Sequence, residues 1–307
     1  MYRHSRAGVV TRAAKYRAFK YEGTMKALVD VDPLLDGVYR IEDGGSCSSV
    51  YVIAAAGTLI DTGNMYGLVD ELHDLGFLGF HKKILLTHGH FDHVGGVEEI
   101  FQVASPEIYL HPIAREHLRL LRDPFPAFFD ALERDGKLIS VNDGDPIDGL
   151  PALTVIHAPG HTAGDLCFFD SRSGALFSGD AVLPSNCRAG TMLSQPDSGY
   201  GGSLEDRLNS LRRLLALRVT HLLPGHGQPV FHKGGDQIKI SLYGFYQRLY
   251  KSCPERAWIE VAKDLFEAGV IEDARQCAAK AFQISPSSIE VRELLDKLTL
   301  PHRRLRS

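Results

Sequence analysis

The stretch Thr87-His88-Gly89-His90-Phe91-Asp92-His93-Val94-Gly95-Gly96 decides how the chain is read. It follows Lys83-Ile84-Leu85-Leu86, an apolar run expected to be a strand. Two histidines at i and i+2 on a turn can grip one metal ion through imidazole nitrogen. Asp92 and His93, directed the other way, can grip a second. Zinc takes such nitrogen and oxygen ligands at about 2 Å and leaves one position open in catalytic sites. Gly95 and Gly96 let the backbone turn tightly into a short helix, expected from Gly95 to about Phe101.

Working outward, three more segments supply ligand types at the ends of expected strands. Leu153-Thr154-Val155-Ile156 leads into Ala158-Pro159-Gly160-His161-Thr162. Leu166-Cys167-Phe168-Phe169 and Ala175-Leu176-Phe177-Ser178 read as a hairpin that ends at Asp180. Thr220-His221-Leu222-Leu223 leads into Pro224-Gly225-His226-Gly227. Strand ends along one sheet edge converge, which is how loops on a rigid scaffold build a site. The expected first metal site is His88, His90 and His161. The second is Asp92, His93 and His226, with the Asp180 carboxylate shared. A lone histidine in a strand is more often a satisfied core or surface residue, and His73, His81, His117, His221, His232 and His302 are read that way. His111 and His157 lie near strand ends, where either could line a pocket.

The HxHxDH run, PGHT, SGDA and PGHG segments, in this order, resemble the metallo-β-lactamase superfamily over roughly residues 37–235. Asp61-Thr62-Gly63 matches that family's early strand-end aspartate, which supports the site without ligating. The resemblance implies an α/β chain folded as a four-layer αββα sandwich with its metals at one edge. At Asp180 it is to the glyoxalase II-like and lactonase-like branches. It also implies two divalent metal ions, with zinc first and iron or manganese as alternatives, since imidazole and carboxylate suit all three. The expected chemistry is hydrolysis of an ester, thioester, lactone or phosphoester by a metal-bridging hydroxide, with Asp92 holding or relaying the proton. A mononuclear iron persulfide dioxygenase uses a similar ligand set and stays open.

The rest of the sequence bounds these readings. The 307 residues carry 44% hydrophobic and 23% charged residues, with a net charge of -4. That composition suits a globular protein with a small-molecule substrate; it argues against nucleic acid or a membrane as partner. Five scattered cysteines with no CxxC pair argue against a disulfide framework or a thiolate zinc knuckle and fit a cytoplasmic protein. Residues 1–24 form a basic extension, with an organelle transit peptide as its alternative reading. Residues 25–235 are the expected catalytic domain. Residues 236–307 are helical: Trp258, Ala262, Leu265, Gly269, Ala274, Ala278, Ala281 and Pro286 resemble one tetratricopeptide repeat. One repeat cannot bury its own apolar face, so it must pack on the main body or on a second subunit as a homodimer. A scaffold protein acting through this tail, with purely structural metals, is the third functional reading.

Overall fold

The computed structural model describes residues 25–42, 48–64, 67–74, 76–77, 82–184 and 195–299. The basic extension, His81, Cys187 and His302 lie outside the described residues. The chain divides into two compact units, residues 1–110 with 117–140, and residues 111–116 with 141–307.

The first unit is built on a seven-stranded sheet in sequence order: β1 (Met25–Ala27), β2 (Val38–Ile41), β3 (Val50–Ile53), β4 (Thr58–Ile60), β5 (Lys83–Leu85), β6 (Glu107–Leu110) and β7 (Leu138–Ser140). Strands β1 to β4 pair antiparallel, and β4 to β7 pair parallel. Parallel neighbours need crossovers, and helices supply them. Helix α1 (Leu68–Asp74) joins β4 to β5; α2 (Phe91–Val94) and α3 (Val97–Ile100) lie between β5 and β6. Strand β5 is covered on both faces, with Ile84, Leu85 and the following Leu86 wholly buried, as an inner parallel strand should be. The expected helix at Gly95 differs in one respect: its first turn is α2, which begins at Phe91 with His90 at the cap position. Asp92 and His93 are therefore helical residues. Gly96 passes so close to β4 that an added Cβ would lie 2.3 Å from the Thr62 carbonyl oxygen, so no side chain fits there.

In the second unit α4 (Pro112–His117) opens with residues 112–116, and later in the chain a four-stranded sheet runs in the order β11-β10-β9-β8. Its strands are β8 (Leu153–His157), β9 (Leu166–Asp170), β10 (Ala175–Gly179) and β11 (His221–Pro224). Strand β9 is antiparallel to both neighbours, and β10 is parallel to β11. Hence β8, β10 and β11 all run the same way and end at the same edge. Helix α5 (Phe125–Arg134) belongs to the first unit, and α6 (Leu204–Leu215) to the second.

The chain then becomes helical, as the sequence indicates: α7 (Gly234–Leu249), α8 (Pro254–Glu267), α9 (Ile271–Ile284) and α10 (Ile289–Thr299). One apolar cluster runs from Ile156, Cys167, Leu176 and Leu222 of the sheet through Leu211 and Leu214 of α6. It continues to Leu242, Val261, Leu265, Ala278 and Val291 of the later helices. Ala257 and Ala262 of α8 and Ala274, Ala278 and Ala281 of α9 are buried, and their small side chains let the two helices approach closely. The repeat-like hairpin thus buries its apolar face on its own unit.

Candidate metal centre

The first unit groups four of the seven expected ligands after β5. The Nε2 of His88 and the Nδ1 of His90 lie 3.0 Å apart. Two ligands on a tetrahedral ion with bonds of ~2.0–2.1 Å sit about 3.3 Å apart, so this spacing suits one ion. The His88 and His93 rings stand 4.0 Å apart, and donor atoms of Asp92 and His93 fall within 4.8 Å of one another. His88 and His93 are buried; His90 and Asp92 are half-buried.

The hydrogen bonds around these histidines aim particular nitrogens. Asp61, at the end of β4, adopts φ +56 and turns its carboxylate toward the site. Its Oδ1 accepts from the Thr87 N–H at 2.8 Å, and its Oδ2 accepts from the Thr87 hydroxyl at 2.7 Å. The same Oδ2 lies 2.7 Å from His93 Nδ1, which leaves Nε2 to act as a ligand. Thr87 has given its one hydroxyl proton to Asp61, so its oxygen accepts from His88 Nδ1 at 3.1 Å. His88 therefore also presents Nε2. The His93 backbone is pinned, its carbonyl accepting from the N–H and hydroxyl of Thr62 at 2.8 and 3.0 Å.

The second unit groups the other three. His161 follows β8, Asp180 follows β10 and His226 follows β11, so the common strand direction delivers all three to one edge. His161 donates from Nδ1 to the Gln195 carbonyl at 2.9 Å and presents Nε2. That atom is 3.7 Å from Asp180 Oδ2, and His226 Nε2 is also 3.7 Å from the same oxygen. All three residues are buried. One carboxylate oxygen equidistant from two imidazole nitrogens has room for an ion on either side, each with bonds of about 2.1 Å. The donor set of imidazole nitrogen and carboxylate, with the second ring nitrogens of His88, His93 and His161 already hydrogen-bonded, fits divalent metal.

Two residues of this region went unread in the sequence. Asp165 ties the His161 turn: Oδ2 accepts from the N–H groups of His161 at 2.9 Å and Thr162 at 2.8 Å, and Oδ1 accepts from the Thr162 hydroxyl at 2.5 Å. Burial pushes its carboxyl up to about 6, against the lowering by His161 and Thr162. An acid between Gly164 and the apolar run of β9 is the sequence signal that could have found it. The other is Arg207, whose Cα an added Gly160 Cβ would meet at 2.4 Å. Its helix α6 also grips the turn through Ser210, which donates to the Pro159 carbonyl at 2.7 Å, and Arg213, which donates to the His157 carbonyl at 2.9 Å.

The histidines outside the expected ligand set are placed as follows. His111 and His157 stack at 4.0 Å, and His157 Nε2 lies 2.9 Å from the Ala163 carbonyl oxygen. His221 is wholly buried and packs edge-on against Phe231 and His232. His73 is exposed beside Asp74.

The metallo-beta-lactamase superfamily model matches residues 43–226, and the chain belongs to that superfamily. The fold is accordingly the metallo-β-lactamase fold with a C-terminal helical extension. A human relative, acyl-coenzyme A thioesterase MBLAC2, is 28% identical over 62% of this chain and 78% of its own. The hydroxyacylglutathione hydrolase of Methylobacillus flagellatus is 31% identical over 55% of this chain and 56% of its own. The chain spans little more than half the length of some curated relatives that it matches, 55% in one case. Among solved structures, a di-iron-bound form of TTHA1623 is 26% identical with a TM-score of 0.50, covering 64% of this chain and 96% of that one.

Proposed function

We propose that all seven residues act in one binuclear centre, and that the chain is a metal-dependent hydrolase of thioesters. His88, His90 and His161 would hold one ion and Asp92, His93 and His226 the other, with Asp180 between them. The single observation that carries this reading is the placement of Asp180 Oδ2, 3.7 Å from both His161 Nε2 and His226 Nε2. The order of the four ligand segments, that of the superfamily, supports the joining of the two groups. The ions would supply hydroxide at neutral pH and polarise the scissile carbonyl.

The chain's own groups prepare that chemistry. Asp61 and the Gln195 carbonyl fix the imidazole tautomers of His93 and His161, so their lone pairs are set in advance. Asp165 keeps the His161 turn closed. Asp92, half-buried on α2, would hold or relay the proton as well as bind metal. The choice of thioesters over other esters rests on the two relatives above, whose names describe a thioesterase and a hydroxyacylglutathione hydrolase. Zinc is the metal proposed; the di-iron neighbour makes iron the alternative to be measured.

The test is metal content by mass spectrometry of protein purified without chelator, followed by assay on acyl thioesters. About two zinc ions per chain and turnover that dialysis against a chelator abolishes and zinc restores are expected. The Asp180→Asn variant should lose metal and at least 100-fold in kcat/KM. One iron per chain, with oxygen uptake on a persulfide and no thioester cleavage, would replace the hydrolase reading by the dioxygenase one.

A further inference from the structure

Helix α6 carries three arginines in the described structure, and two are fully engaged. Arg212 donates to Asp264 and to the Tyr246 hydroxyl, both at 2.8 Å. Arg213 donates to the His157 carbonyl and to both oxygens of Asp143 at 2.9 Å. Arg207 is different. It lies in the first turn after the cap residue Ser203, and the residue is only 8% exposed. Its Nη1 is buried and has no hydrogen-bond partner among the described residues.

Its backbone cannot withdraw, because Cα, Cβ and N are wedged against Gly160, next to the His161 turn. Burial brings its guanidinium down to about 10, so it stays a cation at neutral pH. Asp165 and Asp180 are the acids that act on it, opposed by Arg248. The Asp165 oxygens already accept three hydrogen bonds from His161 and Thr162. Asp180 is committed to metal in the proposed reading. The charge of these two acids offsets that of the guanidinium, yet Nη1 keeps a buried donor that no acceptor meets among the described residues. A buried donor left unmade is costly, and the planar guanidinium fork matches a carboxylate or phosphate.

We propose that Arg207 receives an oxyanion, carboxylate or phosphate, carried by the substrate, and so selects anionic acyl groups over neutral ones. The proposal rests on the hydrolase reading for the identity of the substrate, but the anion site can be tested apart from it.

The experiment uses the zinc-loaded full chain as wild type, Arg207→Lys and Arg207→Met. Each is assayed on two thioesters of one thiol, one with a terminal carboxylate on its acyl chain and one with the methyl ester in its place. Melting temperature is measured in parallel with succinate and with inorganic phosphate. The expected result is that Arg207→Met loses at least ten-fold more kcat/KM on the carboxylate substrate than on the neutral one, mainly through KM. Arg207→Lys should fall between, because an ammonium keeps the charge and lacks the fork. The anion that stabilises wild type and fails to stabilise Arg207→Met identifies the group bound. Equal losses on both substrates, with unchanged stabilisation by both anions, would overturn the proposal. If wild type cleaves neither thioester, the hydrolase reading fails and the melting measurements alone decide on Arg207. If Arg207→Met does not fold, the same comparisons are made with Arg207→Lys, for which at least a three-fold selectivity loss is expected.

Discussion

Asp61 Oδ2 lies 2.7 Å from His93 Nδ1 and also accepts the Thr87 hydroxyl proton, so one carboxylate orients two imidazoles, His93 directly and His88 through Thr87. Its backbone is left-handed, a conformation that asparagine tolerates as well as aspartate.

Asp61→Asn therefore keeps the turn and removes the charge. Metal affinity, read by competition with a chromogenic chelator, should fall about 10–100-fold while the far-ultraviolet circular dichroism is unchanged. Undiminished affinity would show that the Asp61 charge does not support the ligands.

Gly160→Ala tests the contact between the His161 turn and α6. The new Cβ would sit 2.4 Å from the Arg207 Cα at a φ of +152, and neither backbone can yield without opening the turn. Urea unfolding should show a loss of roughly 2 kcal/mol or more, together with reduced metal retention. A loss below 0.5 kcal/mol, by the usual scale of surface substitutions, would mean that the turn relaxes freely.

Helix α6 is bolted to the C-terminal helices by a closed triangle. Arg212 donates to Asp264 and Tyr246, and the Tyr246 hydroxyl donates to Asp264 Oδ2 at 2.6 Å. Tyr246→Phe strips a bond from both charged partners at once. A destabilisation of ~1–3 kcal/mol is expected in urea titration. Arg212→Met in the Tyr246→Phe background should add less than it does alone, since the two share one network.

Asp143 gives a dependence on pH. Burial raises its carboxyl, but hydrogen bonding and charge from Arg213 and the His157 N–H outweigh this and hold it below its ordinary value. A depressed carboxyl stabilises the fold above the unfolded-state pKa and loses that contribution as pH falls through the folded one. The stability gap between wild type and Asp143→Asn should be open at pH 7 and close in acid below the usual carboxylate range. The pair is half-exposed, so the gap is under about 1 kcal/mol. A gap that widens in acid would contradict the assignment.

The seven candidate ligand positions could be picked out because donor types that can grip an ion come in short, rigid segments. His88, His90, Asp92 and His93 lie within six consecutive residues, and His161, Asp180 and His226 each close an apolar run that reads as a strand. The three-residue strands β1 and β7 were not legible, since so short a run shows no alternation. The start of α2 at Phe91 was missed because its first turn is made of ligand residues with no apolar period.

The local alphabet of strands, turns and metal donors follows from neighbours along the chain, where side-chain chemistry and backbone preference act over a few residues. The supporting groups do not. Asp61 reaches His93, Asp165 closes the His161 turn, and Arg207 is buried against Gly160, only when distant segments pack. In the sequence alone Arg207 is one of several charged residues on an amphipathic helix, indistinguishable from Arg212 and Arg213. Packing sets which of them keeps a partner, because burial and the supply of hydrogen-bond partners are properties of the folded interior.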